Sequence, residues 1–530
     1  MKIFALFITL VIGSLGFAQG THGNVSTTLK FNEVLSYVNQ MYVDDVDAEK
    51  LTNTAIVALL EELDPHSTFI SKEEVNDANE RINGNFVGVG IRFQILKDTL
   101  VVVQTIPGGP SEKIGLLAGD KIVGIEGVSV AGIGLKNSQV REKLLGDKGT
   151  KVRVEIKRKN KKGPLDFVIT RDVIPVHSVD VAYMVTPETG YIKLNTFSRN
   201  SHAEVKAGIT KLKKLGMKNL IFDLQGNGGG LLYAAKYLAD EFLSEDKLIV
   251  YSKGRAQPRV DLSAEKKGLW EKGKLVILTD EYSASASEIL SGAIQDWDRG
   301  LIVGRRTYGK GLVQRPIDLS DGSQIRLTIA RYYTPSGRFI QKPYDDVEAY
   351  KNDLWDRYEH GEFMNQDSIK LPDSLKHTTL LKERTVYGGG GIMPDCFVPL
   401  DTAEVTDYYT AIIRGGHLNA FTLTYVNDER KRLMKDYPEF EQFKNDFVVD
   451  KALMDKLFKY AEKEDPELKF NEEEYKVSEK LLKLRIKAMI AQNIWSYGEF
   501  FEIYNESNEI LQRAIDIIES SEYKKAGLAG

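Results

Sequence analysis

The chain has one cysteine, Cys396, seven histidines and only 15 prolines in 530 residues. An internal disulfide is therefore impossible, and with no HExxH or CxxC pairing the histidines define no metal site. Neither sign of charge dominates, because 71 Lys and Arg face 76 Asp and Glu for a net charge of −5, which gives no reason to expect a nucleic-acid partner. Collagen-like and mucin-like chains are excluded by the low proline, and a wholly disordered one by 42% hydrophobic residues. Stability must come from packing, and a chain this long divides into several domains of roughly 150 residues.

Long apolar runs are missing everywhere except at the start. There Lys2 precedes an apolar run over 3–17 and small residues around Ala18, the layout of a secretory signal over 1–18. The run is shorter than the roughly 20 residues that span a bilayer comfortably, which sets a retained anchor as the rival reading. With no cysteine for lipid attachment, the expectation is an exported protein, soluble in the periplasm or cell envelope.

Residues 24–83 carry apolar positions at helical spacing in FNEVLSYVNQMY and LTNTAIVALLEEL, a helical lead-in. The texture then changes. Over 84–175 glycine-punctuated strands FVGVGIRFQ and TLVVVQTIP lead through PSEKIGL to KIVGIEGVSV, a helix LKNSQVREKLLG and the strand TKVRVEIKR. This order of elements resembles a PDZ domain, with Gly88, Val89, Gly90 and Ile91 as the carboxylate-binding loop. Successive N–H groups at such a loop can hold a terminal carboxylate, while the following strand edge pairs with an extended peptide. Taken alone, VGVG reads equally as a β-bulge.

From 176 to 402 strands such as GYIKL, KNLIFDL, KLVILTD and LIVG alternate with helices, the texture of an α/β core, with a polar insertion over 346–384. Charged amphipathic helices fill 403–525. Within the core, the strand at 275–278 enters a serine-rich turn. Ala286, Ile289, Leu290, Ala293 and Trp297 then mark a buried helix face before the next strand at 301–303. Such a unit makes a right-handed crossover between parallel strands, so Ser283, Ser285, Ser287 and the later Lys310 share the carboxyl rim of the sheet. A serine at a helix start can use free N–H groups to stabilise an oxyanion. A base is still needed and no histidine lies in this stretch; Lys310 in TYGKGLVQ can act as one only if desolvation lowers an ordinary pKa of ~10.4 by roughly 2 to 3 units. The loop DLQGNGGGLL adds backbone donors on the same rim.

LDPHSTFIS, GNFVGVGI, GYIKLNTFS, DLQGNGGGLL, SASASEILSGAIQD, RRTYGKGLVQ, TPSGRFIQKP and GGGGIMPD together resemble the carboxy-terminal processing proteases, also called tail-specific proteases. The resemblance implies an α/β multidomain fold: a ClpP/crotonase-like core with an inserted PDZ domain and helical N- and C-terminal regions. It implies a serine endopeptidase without cofactor or metal, with Ser285 as nucleophile, Lys310 as base, Gln314 orienting the amine, and an oxyanion hole from the N–H of Ala286 and of a loop glycine, Gly229. The implied partners are protein or peptide substrates with accessible C-termini, and terminal helices that can assemble subunits into a homo-oligomer.

Two departures stand out. Many relatives have Arg and Pro in a DLRxNPGG loop where this chain has Gln225 and Gly228, and many have Arg closing the second PDZ helix where it has Leu145. The rival readings are a catalytically silent PDZ adaptor, in which Ser285 only caps a helix, Lys310 is a solvated turn residue and Gln314 a plain strand residue, and a crotonase-like acyl enzyme. GRRTYGKG misses the hydroxyl of a phosphate-binding loop and no GxSxG elbow occurs, which argues against an ATP site and an α/β-hydrolase. His66 in LDPHS reads as a turn residue.

Overall fold

The structure is a computed structural model that describes residues 22–159, 161–526 and 528, so the signal expected over 1–18 lies outside the described residues. Two compact units are present, one ending at Phe69 and the other beginning at Ile70. In the first, helices His22–Met41 and Ala48–Glu61 are joined by a turn in which Asp47 accepts a hydrogen bond from the Lys50 N–H. Asp64 of LDPHS is buried and accepts from the backbone N–H groups of His66 and Ser67 and from the Ser67 hydroxyl, which makes this motif a turn staple. Among the described residues no helix is long and apolar enough to cross a membrane.

The second unit opens with the helix Val75–Asn83, stopped by Gly84 in the left-handed conformation. An antiparallel sheet follows in the order Ile91–Ile95, Leu100–Thr105, Lys121–Ile125, Lys151–Lys157, Leu165–Thr170, leaving Ile91–Ile95 as an edge strand. Alternation places Val152, Val154 and Ile156 of KVRVEIK inward with Leu100, Val102 and Ile122, and the helix Asn137–Leu144 closes this core through Val140 and Leu144.

The core sheet has six strands in the order Val179–Met184, Thr189–Leu194, Asn219–Asp223, Lys274–Thr279, Leu301–Gly304, Cys396–Phe397, with the first pair antiparallel and the others parallel. The interiors of its central strands, 220–222 and 275–278, are continuously apolar because both faces are covered. On one face Leu220, Phe222, Leu275 and Ile277 pack with the helices Ser201–Lys214, Leu232–Asp240 and Ala286–Asp296; on the other, Ile221, Val276 and Leu278 pack with Ile510, Leu511, Ala514 and Ile517. The last group belongs to the helix Glu509–Glu519, so part of the charged C-terminal region is a layer of the core. Helix Ala286–Asp296 is buried along its whole length and not on one face alone.

A second sheet is built on the strand Gln324–Tyr333, paired with Leu312–Asp318 and with Leu248–Lys253. The polar insertion contains the helix Val347–Glu359, capped by Asp346, and a short hairpin of Lys376–Thr378 with Thr385–Tyr387. Six further helices between Asp407 and Tyr504 enclose an aromatic-rich core around Phe443, Leu457, Ile486 and Ile490.

Candidate active site

The strand Lys274–Thr279 delivers the serine-rich turn, and the packing of the three serines separates them. Ser283 Oγ donates to the Leu224 carbonyl and Ser287 Oγ to the Asn227 carbonyl, each at 2.8 Å, and both residues are buried. Those hydroxyls fasten the turn to the glycine loop after the strand Asn219–Asp223. Ser285 is half-buried, at the mouth of the turn, with φ 57° and ψ −110°. That region is rarely occupied by a residue with a side chain and costs on the order of 1–3 kcal/mol, so the surroundings must impose it.

They do so through two buried side chains that sequence reasoning passed over. Glu288 Oε2 accepts from the backbone N–H of Ser285 and of Lys310, both at 2.8 Å. Its Oε1 accepts from the Gly309 N–H at 2.7 Å and from Thr307 Oγ1 at 2.5 Å. Tyr332 OH lies 2.5 Å from the Lys310 carbonyl and 3.1 Å from that of Ser285. Burial pushes the Glu288 carboxyl up to about 7, opposed by the hydrogen bonds it accepts. Burial also raises the Tyr332 phenol well above its ordinary value, which keeps it a donor. Glu288 was legible only as the acid of a helix-start pattern, S-x-x-E. Tyr332 carries no such signal, because only the fold of the second sheet brings it here.

Lys310 Nζ donates to Gln314 Oε1 at 2.8 Å. A bulge between Val313 and Gln314 re-aims the strand Leu312–Asp318 at this point. The loop that carries the lysine is anchored from beneath: Gln341 Oε1 accepts from the Gly311 N–H, and the Lys342 N–H donates to Gly309. Ile392 of the GGGGIMPD segment donates its N–H to Thr307 Oγ1.

Ala286 is the first residue of its helix, where the N–H has no partner within the helix. Gly229 has φ +99°, and a Cβ there would lie 2.6 Å from the Ala284 carbonyl and 2.9 Å from the Ala286 N–H, so only glycine lets the loop approach this closely. Its own N–H, expected to face an oxyanion, instead donates to Asn227 Oδ1 at 2.8 Å. Asn227 is buried, and its Nδ2 donates to the Leu194 carbonyl.

Gly88, Val89, Gly90 and Ile91 lie in the other domain and share no hydrogen bond with the serine turn among the described residues. Ser111 donates its hydroxyl to the Val89 carbonyl at 2.6 Å, and Gly90 takes φ +72°. Leu145 lies against this loop, its Cδ2 3.0 Å from where a Cβ on Gly88 would be.

Residues 188–348 match peptidase family S41, residues 101–158 a PDZ domain, and residues 408–496 a family of unknown function (DUF8443). A carboxy-terminal-processing protease of Bartonella bacilliformis is 36% identical over 59% of this chain and 72% of its own length. The "Probable CtpA-like serine protease" of Staphylococcus aureus strain N315 is 33% identical over 59% of this chain and 62% of its own. A solved photosystem II D1 C-terminal processing protease is 28% identical, covering 71% of this chain and 94% of that one with a TM-score of 0.36. By its sequence kinship the chain belongs to the carboxy-terminal-processing proteases, serine peptidases of family S41 that carry a PDZ domain.

Proposed function

We propose that the protein is an exported endopeptidase that takes the C-terminal tail of a protein substrate into the PDZ groove and cuts its backbone with Ser285 and Lys310. The observation that carries this reading is the sorting of the serines. Ser283 and Ser287 bind the loop through their hydroxyls, whereas Ser285 sits half-buried, at positive φ, in a strained turn that Glu288 ties to the backbone of Lys310. In this reading a neutral Lys310 amine, oriented by Gln314, removes the Ser285 proton as Oγ attacks the scissile carbonyl. The resulting oxyanion is held by the Ala286 N–H and by the Gly229 N–H, which Asn227 has to release or share. Collapse expels the amine product with the proton from Lys310, and water repeats the cycle on the acyl-enzyme.

Domain limits of 84–175 for the PDZ domain, 176–402 for the protease core and 403–525 for the C-terminal helices belong to the same proposal. Export rests on the signal-like residues 1–18. The test is incubation of the mature protein with an unstructured substrate ending in an apolar residue, beside Ser285→Ala and beside an amidated substrate. Cleavage lost in the variant and weakened by amidation is expected; binding without cleavage by the unmutated protein would overturn the assignment in favour of an adaptor.

A further inference from the structure

The strand Leu100–Thr105 is apolar on both of its faces. Leu100 and Val102 enter the PDZ core, while Val101 and Val103, 1% and 6% exposed, pack outward on Leu423 of the helix His417–Asp436. The PDZ domain is thus seated on the C-terminal helical region, and the seat involves the strand that a peptide would join. Arg92, on the edge strand Ile91–Ile95, donates to the Gln492 carbonyl at 3.2 Å, and its cross-strand neighbour Gln104 donates to the Trp495 carbonyl at 2.7 Å. Both carbonyls lie at the C-terminal end of the helix Glu472–Ile494, where orphan acceptors and the negative end of the helix dipole favour such donors.

From that point the chain runs directly to the back of the candidate active site. The helix Tyr497–Tyr504 lies against the core strand Val179–Met184, with Phe501 beneath the Lys193 ammonium at 5.4 Å and Asn505 Nδ2 donating to Tyr183 OH at 3.0 Å. Asn508 Nδ2 then donates to Gln225 Oε1 at 3.0 Å, and Lys193 Nζ donates to the Gln225 carbonyl at 2.9 Å. Gln225 opens the glycine loop that ends beside Ser285. A cleft of 1360 Å³ has Lys193, Gln225, Phe501 and Asn508 on its wall.

We propose that the segment from Gln492 to Asn508 is a connector through which occupancy of the PDZ groove is transmitted to the loop at 225–230. A peptide added to the Ile91–Ile95 edge fixes the strand that carries Arg92. The two donors then fix the end of the long helix, and Asn508 passes the restraint to Gln225. This gives the C-terminal helical region a role, and it rests on the PDZ domain accepting a C-terminal peptide.

The test is amide hydrogen exchange on the full-length Ser285→Ala chain, with and without a ten-residue peptide ending Ala-Val with a free carboxylate, its amidated twin serving as control. Peptide binding is expected to slow exchange both in the strand Ile91–Ile95 and, by about fivefold or more, in the loop at 225–230. In Asn508→Ala and in Gln104→Ala the strand should still be protected while the loop response disappears. A loop that ignores the bound peptide, a response that persists in both variants, or a peptide that leaves the strand unprotected would each overturn the connector. No readout depends on turnover, so failure of the Ser285 assignment is seen separately in the cleavage assay.

Discussion

Glu288 and Tyr332 grip the backbone of the same two residues: the N–H groups of Ser285 and Lys310 both donate to the Glu288 carboxylate, and their carbonyl oxygens both lie within hydrogen-bond reach of the Tyr332 hydroxyl. Ser285 and Lys310 leave different strands of the sheet, so this double grip fixes their relative placement more directly than the sheet does. It also supplies the restraint that the positive φ of Ser285 demands.

Ser285→Ala should reduce kcat/KM by at least about 10³-fold, as expected when a nucleophile is removed. Its far-ultraviolet circular dichroism should match the parent. Ser285→Gly should be equally inactive yet more stable than Ser285→Ala by about 1 kcal/mol, because glycine tolerates φ 57° where alanine does not. Equal or reversed denaturation midpoints for the two variants would contradict the strain reading.

Glu288 links activity and stability to pH in opposite senses. Its carboxyl is pushed up to about 7 by burial, above the ordinary 4.5, so its favourable contribution to folding is complete below 4.5 and is lost as pH rises through 7. The ionised carboxylate is the better acceptor for the three backbone N–H groups of Ser285, Gly309 and Lys310, so turnover should rise over the same interval. Glu288→Gln should abolish the acid limb near pH 7 in a kcat profile and should flatten the fall in thermal midpoint expected of the parent between pH 4.5 and 7. An unchanged acid limb would assign it to another group.

Tyr332→Phe removes one hydroxyl and leaves the Lys310 carbonyl without that donor, while the Ser285 carbonyl keeps the N–H groups of Glu288 and Ile289. The loss of stability should be about 1–3 kcal/mol, as for other unsatisfied buried acceptors. Because Tyr332 acts through Ser285 and Lys310 and not on substrate, kcat should fall by roughly 10-fold or more while KM stays near that of the parent. A change confined to KM would place the tyrosine in substrate binding instead.

Asn227→Ala frees the Gly229 N–H but loses the bond to the Leu194 carbonyl that fixes the loop. If release of Gly229 limits formation of the oxyanion site, this variant should bind a peptide aldehyde more tightly than the parent while being less stable by about 1–2 kcal/mol. Weaker aldehyde binding would show that the asparagine builds the site and does not restrain it.

Much of this could be read from residues in order. Alternating and continuous apolar runs gave the strands of the PDZ domain and of the core, because side-chain periodicity depends only on local geometry. The chemical types at 285, 310 and 314 were visible as letters, as were the glycines at 229 and 230 that a close loop approach requires. LVVV in the strand Leu100–Thr105 gave the strand, whereas the burial of its second face against Leu423 came only from the structure.

The rest was decided by pairs far apart in the chain. Three serines in SASAS are equivalent as sequence; they differ because Leu224 and Asn227 arrive from another strand to accept from two of them. Glu288 looks like a helix cap until Lys310 and Gly309 fold onto its second side, and Gly229 looks like a free donor until Asn227 turns back on it. Arg92 and Gln492, 400 positions apart, have no sequence pattern that could announce their contact. Periodicity and residue chemistry are properties of the strand or turn itself and are determined by the sequence alone. Which polar atoms are engaged and which remain available depends on distances between segments, and only tertiary packing sets those.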